Sequence, residues 1–205
     1  MNRQIIPNEY LTYSLDMNAL QELLNNAPMR FSTAPNPVVL NLPMPNGTSE
    51  RFQIFDAPIM ESELAAKYPM IHAYAGVGLD DPTATLRLDV TQHGFHAMVI
   101  SAKNGSAYID PYAKGDTQHY ISYYKKNLNN TNTSAKCHHK DETNLDAVPD
   151  DLPEFQGDCM LRTYRAAIAC TGEYTQFHGG TVADALAAIH TTSVSYTHLT
   201  LPTKA

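Results

Sequence analysis

The stretch Leu86–Asp110, LRLDVTQHGFHAMVISAKNGSAYID, decides the fold of this 205-residue chain. Apolar and polar residues alternate in its first segment, where Leu86, Leu88 and Val90 fall on one side. This period of two is typical of strands that bury one face. Glycine-containing turns at 93–94 and 104–105 separate three such segments. The stretch therefore predicts an antiparallel β-meander.

Further elements are predicted before the meander. Alternation from Val38 to Ile54 around Asn46-Gly47 indicates a β-hairpin. Met17 to Leu24 has an amphipathic pattern that begins after Asp16, a favourable N-cap, so a helix is expected to pack on the sheet. Glu61 to Tyr68 favours a short helix that ends before a proline.

The composition changes after the meander. His119 to Tyr124 predicts one more strand, whose tyrosines are expected to pack in the sheet. Residues 125–158 are rich in Asn, Thr, Lys, Asp and Pro and contain few large apolar residues. This segment is interpreted as a linker.

A strand, a turn region and a helix are predicted between Arg162 and Thr192. Ala166 to Cys170 is an unbroken apolar run, which is typical of a strand buried on both faces, so the Cys170 thiol is expected in a core. Thr181 and Asp184 occupy the capping positions of a helix. Its expected apolar face consists of Val182, Ala185, Leu186 and Ile189.

The bulk composition allows a packed core and excludes some partners. Hydrophobic residues make up 43% of the chain, and the net charge is −7. Nucleic acid and anionic membranes need a clustered basic surface, which this sequence lacks. No apolar stretch of about 18 residues is present, so no transmembrane helix is expected.

Several phrases resemble one protein family. LRTYRAAIACTGEYTQFHGGTVADALAAIHTT, residues 161–192, is similar to the start of the catalytic domain of bacterial reprolysin-like zinc metallopeptidases of the metzincin clan. Residues 55–90, GFHAMVIS at 94–101 and AYIDPY at 107–112 resemble the propeptide of these enzymes. The resemblance covers most of the chain from Phe52 to Thr192.

The resemblance implies the N-terminal part of a secreted zinc metalloendopeptidase precursor. The expected fold class is α+β: an antiparallel β-meander propeptide with a packing helix (1–124), a linker (125–158), and an isolated strand–helix unit of an α/β metallopeptidase domain (159–193). The propeptide would keep the protease latent and aid its folding. The implied partners are its own catalytic domain and, for the parent enzyme, protein substrates. The implied cofactor is zinc in the full-length parent.

The sequence departs from the family at the zinc site. Metzincins bind zinc through H-E-x-x-H-x-x-G-x-x-H, with the Glu as general base. None of the nine histidines here is followed by Glu. The chain is therefore expected to contain no catalytic residue and no metal ligand of the enzyme, and to be inactive, with the motif further along the parent protein. Residues 1–15 also lack a signal-peptide pattern, so an internal start is expected.

The C-terminal residues 194–205 are expected to be an artefact. VSYTHLTLPT, residues 194–203, resembles one translated reading frame of a common transposase sequencing adapter. The alternative is a genuine strand-rich tail, because Val194, Tyr196 and Thr197 have strand propensity.

Cys137 is the candidate inhibitory residue. It stands in Cys137-His138-His139, and the resemblance to metzincins suggests a thiolate that reaches the zinc of the uncleaved precursor. A solvated loop and a disulfide between Cys137 and Cys159 remain open alternatives. Cys159 and Cys170 would lie ~35 Å apart along a strand, too far for a disulfide.

Two further hypotheses are kept open. His93 and His96 flank a turn, but a metal site there would need two more ligands from elsewhere in the chain. The alternative function is a non-enzymatic extracellular β-rich binding or adhesion module, which the meander and the lack of a complete catalytic set favour.

Overall fold

The protein was examined as a computed structural model, which describes residues 3, 5–32, 37–128 and 166–196. The strands in this part of the chain are β1 (Leu11–Ser14), β2 (Val38–Pro43), β3 (Ser49–Asp56), β4 (His72–Gly78), β5 (Thr85–Thr91), β6 (Gly94–Ser101), β7 (Gly105–Pro111) and β8 (His119–Tyr124). The α-helices are α1 (Met17–Leu24), α2 (Ser62–Lys67), α3 (Gly172–His178) and α4 (Val182–Tyr196), and a 3₁₀ turn covers Lys125–Asn127.

All eight strands form one antiparallel sheet. Their order is β1-β8-β7-β6-β5-β4-β3-β2, so every strand from β2 to β8 pairs with its neighbour in sequence. The short β1 pairs with β8 at the far end. The predicted α+β class and the predicted antiparallel meander are confirmed.

The turns lie where the sequence placed them. Asn46-Gly47 joins β2 to β3, His93-Gly94 joins β5 to β6, and Asn104-Gly105 joins β6 to β7. Gly94 has a φ of +119°, and a Cβ at this position would lie 3.0 Å from the Tyr120 hydroxyl oxygen. The turn therefore needs glycine both for its backbone conformation and for its close contact with β8.

One face of the sheet carries the main core. The side chains of Leu86, Leu88 and Val90 are buried there with Phe52, and Leu20 of α1 belongs to the same cluster. Asp16 caps α1, because its Oδ1 accepts hydrogen bonds from the backbone N–H groups of residues 18 and 19 at 3.0 and 3.1 Å. The predicted packing helix is thus confirmed, and burial of each large apolar side chain contributes roughly 2 kcal/mol.

Contacts between residues divide the chain into two compact units, 1–129 with 170–205, and 130–169. In the second unit the structure describes only residues 166–169, which form no helix or strand. The prediction of a buried strand over Ala166–Cys170 is wrong, since all five residues are exposed. Cys170 is an exposed free thiol and not a core residue. An apolar run can lie in a strand only where neighbouring strands pair with it, and the described chain supplies none here.

Helix α4 was predicted, and its buried face overlaps the expected one in part: Ala185 is buried, and Leu186 and Ile189 are half-buried. Its capping residues behave as expected: the Thr181 hydroxyl accepts from the Asp184 N–H at 3.1 Å and donates to Asp184 Oδ2 at 2.6 Å. Val182, expected in the apolar face, is 70% exposed. The buried side chains include Ala187, His190 and Val194, which recur at helical spacing. Val194 belongs to the residues interpreted as adapter-derived.

Candidate functional site

The second face of the sheet carries a line of polar side chains. Because side chains alternate along a strand, Asp89 of β5 points away from the leucines of the main core. Asp89 pairs directly with His96 of β6, and the β6–β7 register continues this line to Asp110 of β7. Three titratable side chains on three adjacent strands therefore lie side by side on this face.

His96, Asp110 and Tyr123 form a hydrogen-bonded network. The Nδ1 of His96 lies 2.7 Å from Asp110 Oδ1, and the Tyr123 hydroxyl donates to Asp110 Oδ2 at 2.6 Å. Burial lowers the pKa of His96, but its hydrogen bond to Asp110 and the charges of Asp110 and Asp89 raise it more, so that the net shift is upward. Both Asp110 oxygens are thus occupied by donors, and the imidazole ring is fixed in orientation.

Asp89 is the most deeply buried carboxylate of this line. Its side chain is 2% exposed. Burial raises its pKa to about 6, although the charge of His96 and the hydrogen bond from Thr191 act in the opposite direction. The Thr191 hydroxyl of α4 donates to Asp89 Oδ2 at 2.6 Å. Asp89 therefore joins the sheet to the C-terminal helix.

The N-terminal end of α4 is also attached to the sheet. Gln92 Nε2 donates to the carbonyl oxygen of Ala183 at 2.9 Å. His93 Nε2 lies 3.1 Å from Asp184 Oδ1. Hydrogen bonds from Thr181 and Gln92, with the charge of His93, lower the pKa of Asp184 despite its partial burial. Polar contacts at both ends of this segment thus fix the position of α4 over β5.

His190 is buried between α4 and the sheet. It is 3% exposed, and its Nδ1 has no hydrogen-bond partner among the described residues. Burial and the nearby His72 lower its pKa to about 4, so the ring is neutral near pH 7. Among the described residues, no carboxylate forms an ion pair with His190.

A cavity of about 220 Å³ lies beside this network. Its wall includes His93, His96 and Asp110 from the sheet, Lys114 from the β7–β8 loop, and His178 and Thr191 from the helices. Ile5, Pro111 and the alanines of α4 supply apolar surface. The cavity therefore combines basic and hydroxyl donors with apolar walls.

The structure describes the candidate histidines but not the candidate cysteines. Cys137 and Cys159 lie outside the described residues, so the zinc-ligand and disulfide hypotheses stay predictions. His93 and His96 each contact a different aspartate, Asp184 and Asp110. In the described ranges no group of three His, Cys, Asp or Glu side chains is arranged to hold a metal ion.

Sequence reasoning missed the polar line itself. The signal was present, because Asp89 occupies the strand position opposite the apolar face, and His96 and Asp110 match it in register. Chemically, such a line can hold a helix and orient an imidazole toward a cavity. Among described residues it offers no nucleophile hydrogen-bonded to His96 and no set of metal ligands.

Comparisons of the chain with protein-family models, with curated proteins and with solved structures found no match. No helix in the described part of the chain is long and apolar enough to cross a bilayer.

Proposed function

We propose that this chain is the N-terminal region of a secreted zinc metalloendopeptidase precursor, whose propeptide keeps the protease latent and aids its folding. The observation that carries the proposal is the docking of α4 on the sheet. Helix α4 lies mostly in the segment that resembles the start of the catalytic domain, and the sheet lies in the segment that resembles the propeptide. The contact between Thr191 and Asp89 joins these two segments.

The contacts of α4 are those that a folding assistant requires. An isolated 15-residue helix is marginal in water, since most helix stability in proteins comes from packing of one face. Here Ala187, His190 and Val194 are buried, and the sheet supplies a buried acceptor for a hydroxyl. A propeptide with this surface would stabilise an early element of the enzyme before the rest of the catalytic domain has formed.

Latency is assigned to Cys137 in the same proposal. A thiolate is a strong zinc ligand and would displace the water that a zinc peptidase needs. The zinc would be held by the histidines of the parent enzyme, and this chain supplies the blocking sulfur. Cleavage within residues 125–158 would then separate the inhibitor from the enzyme.

The first test is to extend the reading frame in the source DNA and to express the encoded enzyme. An H-E-x-x-H-x-x-G-x-x-H motif is expected within a couple of hundred residues after Thr192. The present chain, added in trans, should inhibit cleavage of a denatured protein substrate. Loss of inhibition in Cys137→Ser, with the Cys170→Ser variant unchanged, would assign the effect to Cys137. Absence of the motif, or failure of the intact chain to inhibit, would reject the proposal.

A second candidate function is a β-rich binding or adhesion module. It is favoured by apolar side chains at the β2–β4 end of the sheet, where Val39 and Val77 are 38% and 44% exposed. Both pair with Gln53 of β3, so they lie in one row across three strands. The trans-inhibition assay separates the two functions, because a binding module would leave the enzyme fully active.

A further inference from the structure

We propose that the cavity bounded by Lys114, His178 and His93 is a binding site for a small oxyanion, a phosphate or a carboxylate. This inference is independent of the proposed protease function. It concerns the cavity of about 220 Å³ beside the polar line of the sheet.

The size of the cavity limits the ligand. Pockets for drug-sized molecules have volumes of about 300 Å³ or more. A smaller cavity fits an inorganic anion or a short carboxylic acid together with a few water molecules. Its walls also include the buried residues Ala113 and Ala187, whose small side chains leave space for a ligand.

The charged groups at the cavity favour an anion. Lys114 Nζ donates one hydrogen bond of 2.9 Å to the carbonyl oxygen of Phe177, and an ammonium group has further donors. The pKa of His178 is lowered by its burial and by the positive charges of Lys114 and His93. Lys114, His93 and His178 line one cavity, and a bound anion there would offset the positive charge that lowers the pKa of His178.

The carboxylates near the cavity are already engaged. Asp110 accepts hydrogen bonds from His96 and Tyr123 on its two oxygens. Asp184 accepts from the Thr181 hydroxyl on Oδ2, while its Oδ1 faces His93. Among the described residues, no carboxylate forms an ion pair with Lys114 or His178.

A buried nitrogen atom of His93 also lacks a hydrogen-bond acceptor among the described residues. Its Nε2 is buried and lies 3.1 Å from Asp184 Oδ1, yet it is not aligned for a hydrogen bond with any described residue. Buried polar atoms in proteins nearly always have a partner. An oxyanion in the cavity would supply an acceptor oxygen to this imidazole and to the remaining donors of Lys114 on the same wall.

The experiment is an NMR titration of the full chain with inorganic phosphate, observed on the histidine ring signals at about pH 6 and about pH 8. Phosphate is expected to shift the His178 and His93 signals in a saturable way. Phosphate should also raise the pKa of His178, since the anion offsets the charges of Lys114 and His93. The other neighbours of the His178 ring are the uncharged side chains of Tyr174 and Phe177.

The variant Lys114→Gln should weaken binding at least tenfold, and Lys67→Gln, an exposed lysine on α2, should leave it unchanged. Because Lys114 is exposed, the Lys114→Gln variant should keep the fold. His178→Gln is the second variant, and it should lose phosphate affinity to the same extent. A parallel titration with acetate shows whether the cavity prefers a carboxylate or a phosphate. Saturable binding of either anion supports the proposal. Shifts that stay linear to tens of millimolar for both anions would overturn it. So would equal affinity in Lys114→Gln and the unmodified chain.

Discussion

The Thr191 hydroxyl donates a 2.6 Å hydrogen bond to Asp89, a residue 102 positions earlier in the chain. Asp89 is almost inaccessible to solvent, so this bond is a buried contact between α4 and β5. The pair joins the sheet to the C-terminal helix.

Thr191→Val should weaken the attachment of α4. Valine keeps the shape of threonine but leaves the buried Asp89 oxygen without its donor, which costs about 1–3 kcal/mol. Amide hydrogen exchange in α4 should accelerate accordingly. The control is Thr192→Val, because the Thr192 hydroxyl only donates to the carbonyl of Ala188 in its own helix and is exposed. Equal exchange in the two variants would contradict the assigned role.

Asp89→Asn should change how stability depends on pH. The pKa of Asp89 is raised by burial from 3.8 to about 6 in the folded chain. Its stabilising contribution is therefore fully present below pH 3.8 and is lost as the pH rises through about 6, by roughly 3 kcal/mol in total. The asparagine variant lacks this loss and can still accept from Thr191. Urea unfolding at several pH values should show its free energy of unfolding rising relative to the unmodified chain between pH 4 and pH 7.

His190→Leu should act in the opposite direction. The pKa of His190 falls from 6.5 to about 4 on folding, so the unfolded state takes up a proton first on acidification. Stability from this residue is present above pH 6.5 and is lost as the pH falls toward 4, by about 1–2 kcal/mol at pH 5. The leucine variant should lose less stability between pH 7 and pH 5 in urea unfolding. An unchanged pH profile would mean that His190 is solvated in the folded chain.

Gly78→Ala should destabilise the sheet more than an alanine elsewhere. A Cβ on Gly78 would overlap the backbone carbonyl oxygen of Asp81, and a backbone atom cannot move aside cheaply. The expected cost is about 1–3 kcal/mol, in the range for overpacked sites. The matched control is Gly172→Ala at the start of α3, where a Cβ would meet nothing within 4 Å. Thermal unfolding should give a lower midpoint temperature for Gly78→Ala than for Gly172→Ala. Equal midpoints would refute the prediction.

The sheet was predictable where its strands are joined by short turns. The patterns around Asn46-Gly47, His93-Gly94 and Asn104-Gly105 predict both the strands and their register, because turns of two to five residues leave little freedom. Strands β1 and β4 were not predicted. β1 has four residues and pairs with a strand distant in sequence, while β4 contains two glycines and has a weak pattern.

The site was not predictable from local patterns. Asp89, His96 and Asp110 are single polar residues in strands, and they form one line only after three registers are known. The reverse error occurred at Ala166–Cys170, where an apolar run was interpreted as a strand although nothing in the described chain pairs with it. Helix α3, assigned to a turn region, was missed because it has seven residues and no buried face.

The meander order has a consequence for the folding pathway. From β2 to β8 every pairing closes a short loop, so these strands can assemble one after another at low entropic cost. The pairing of β1 with β8 and the seating of α4 on β5 instead close loops of about a hundred residues. Because such closures are slow and depend on a finished surface, we expect the hairpins to form the folding nucleus and both chain ends to be added after the rate-limiting step.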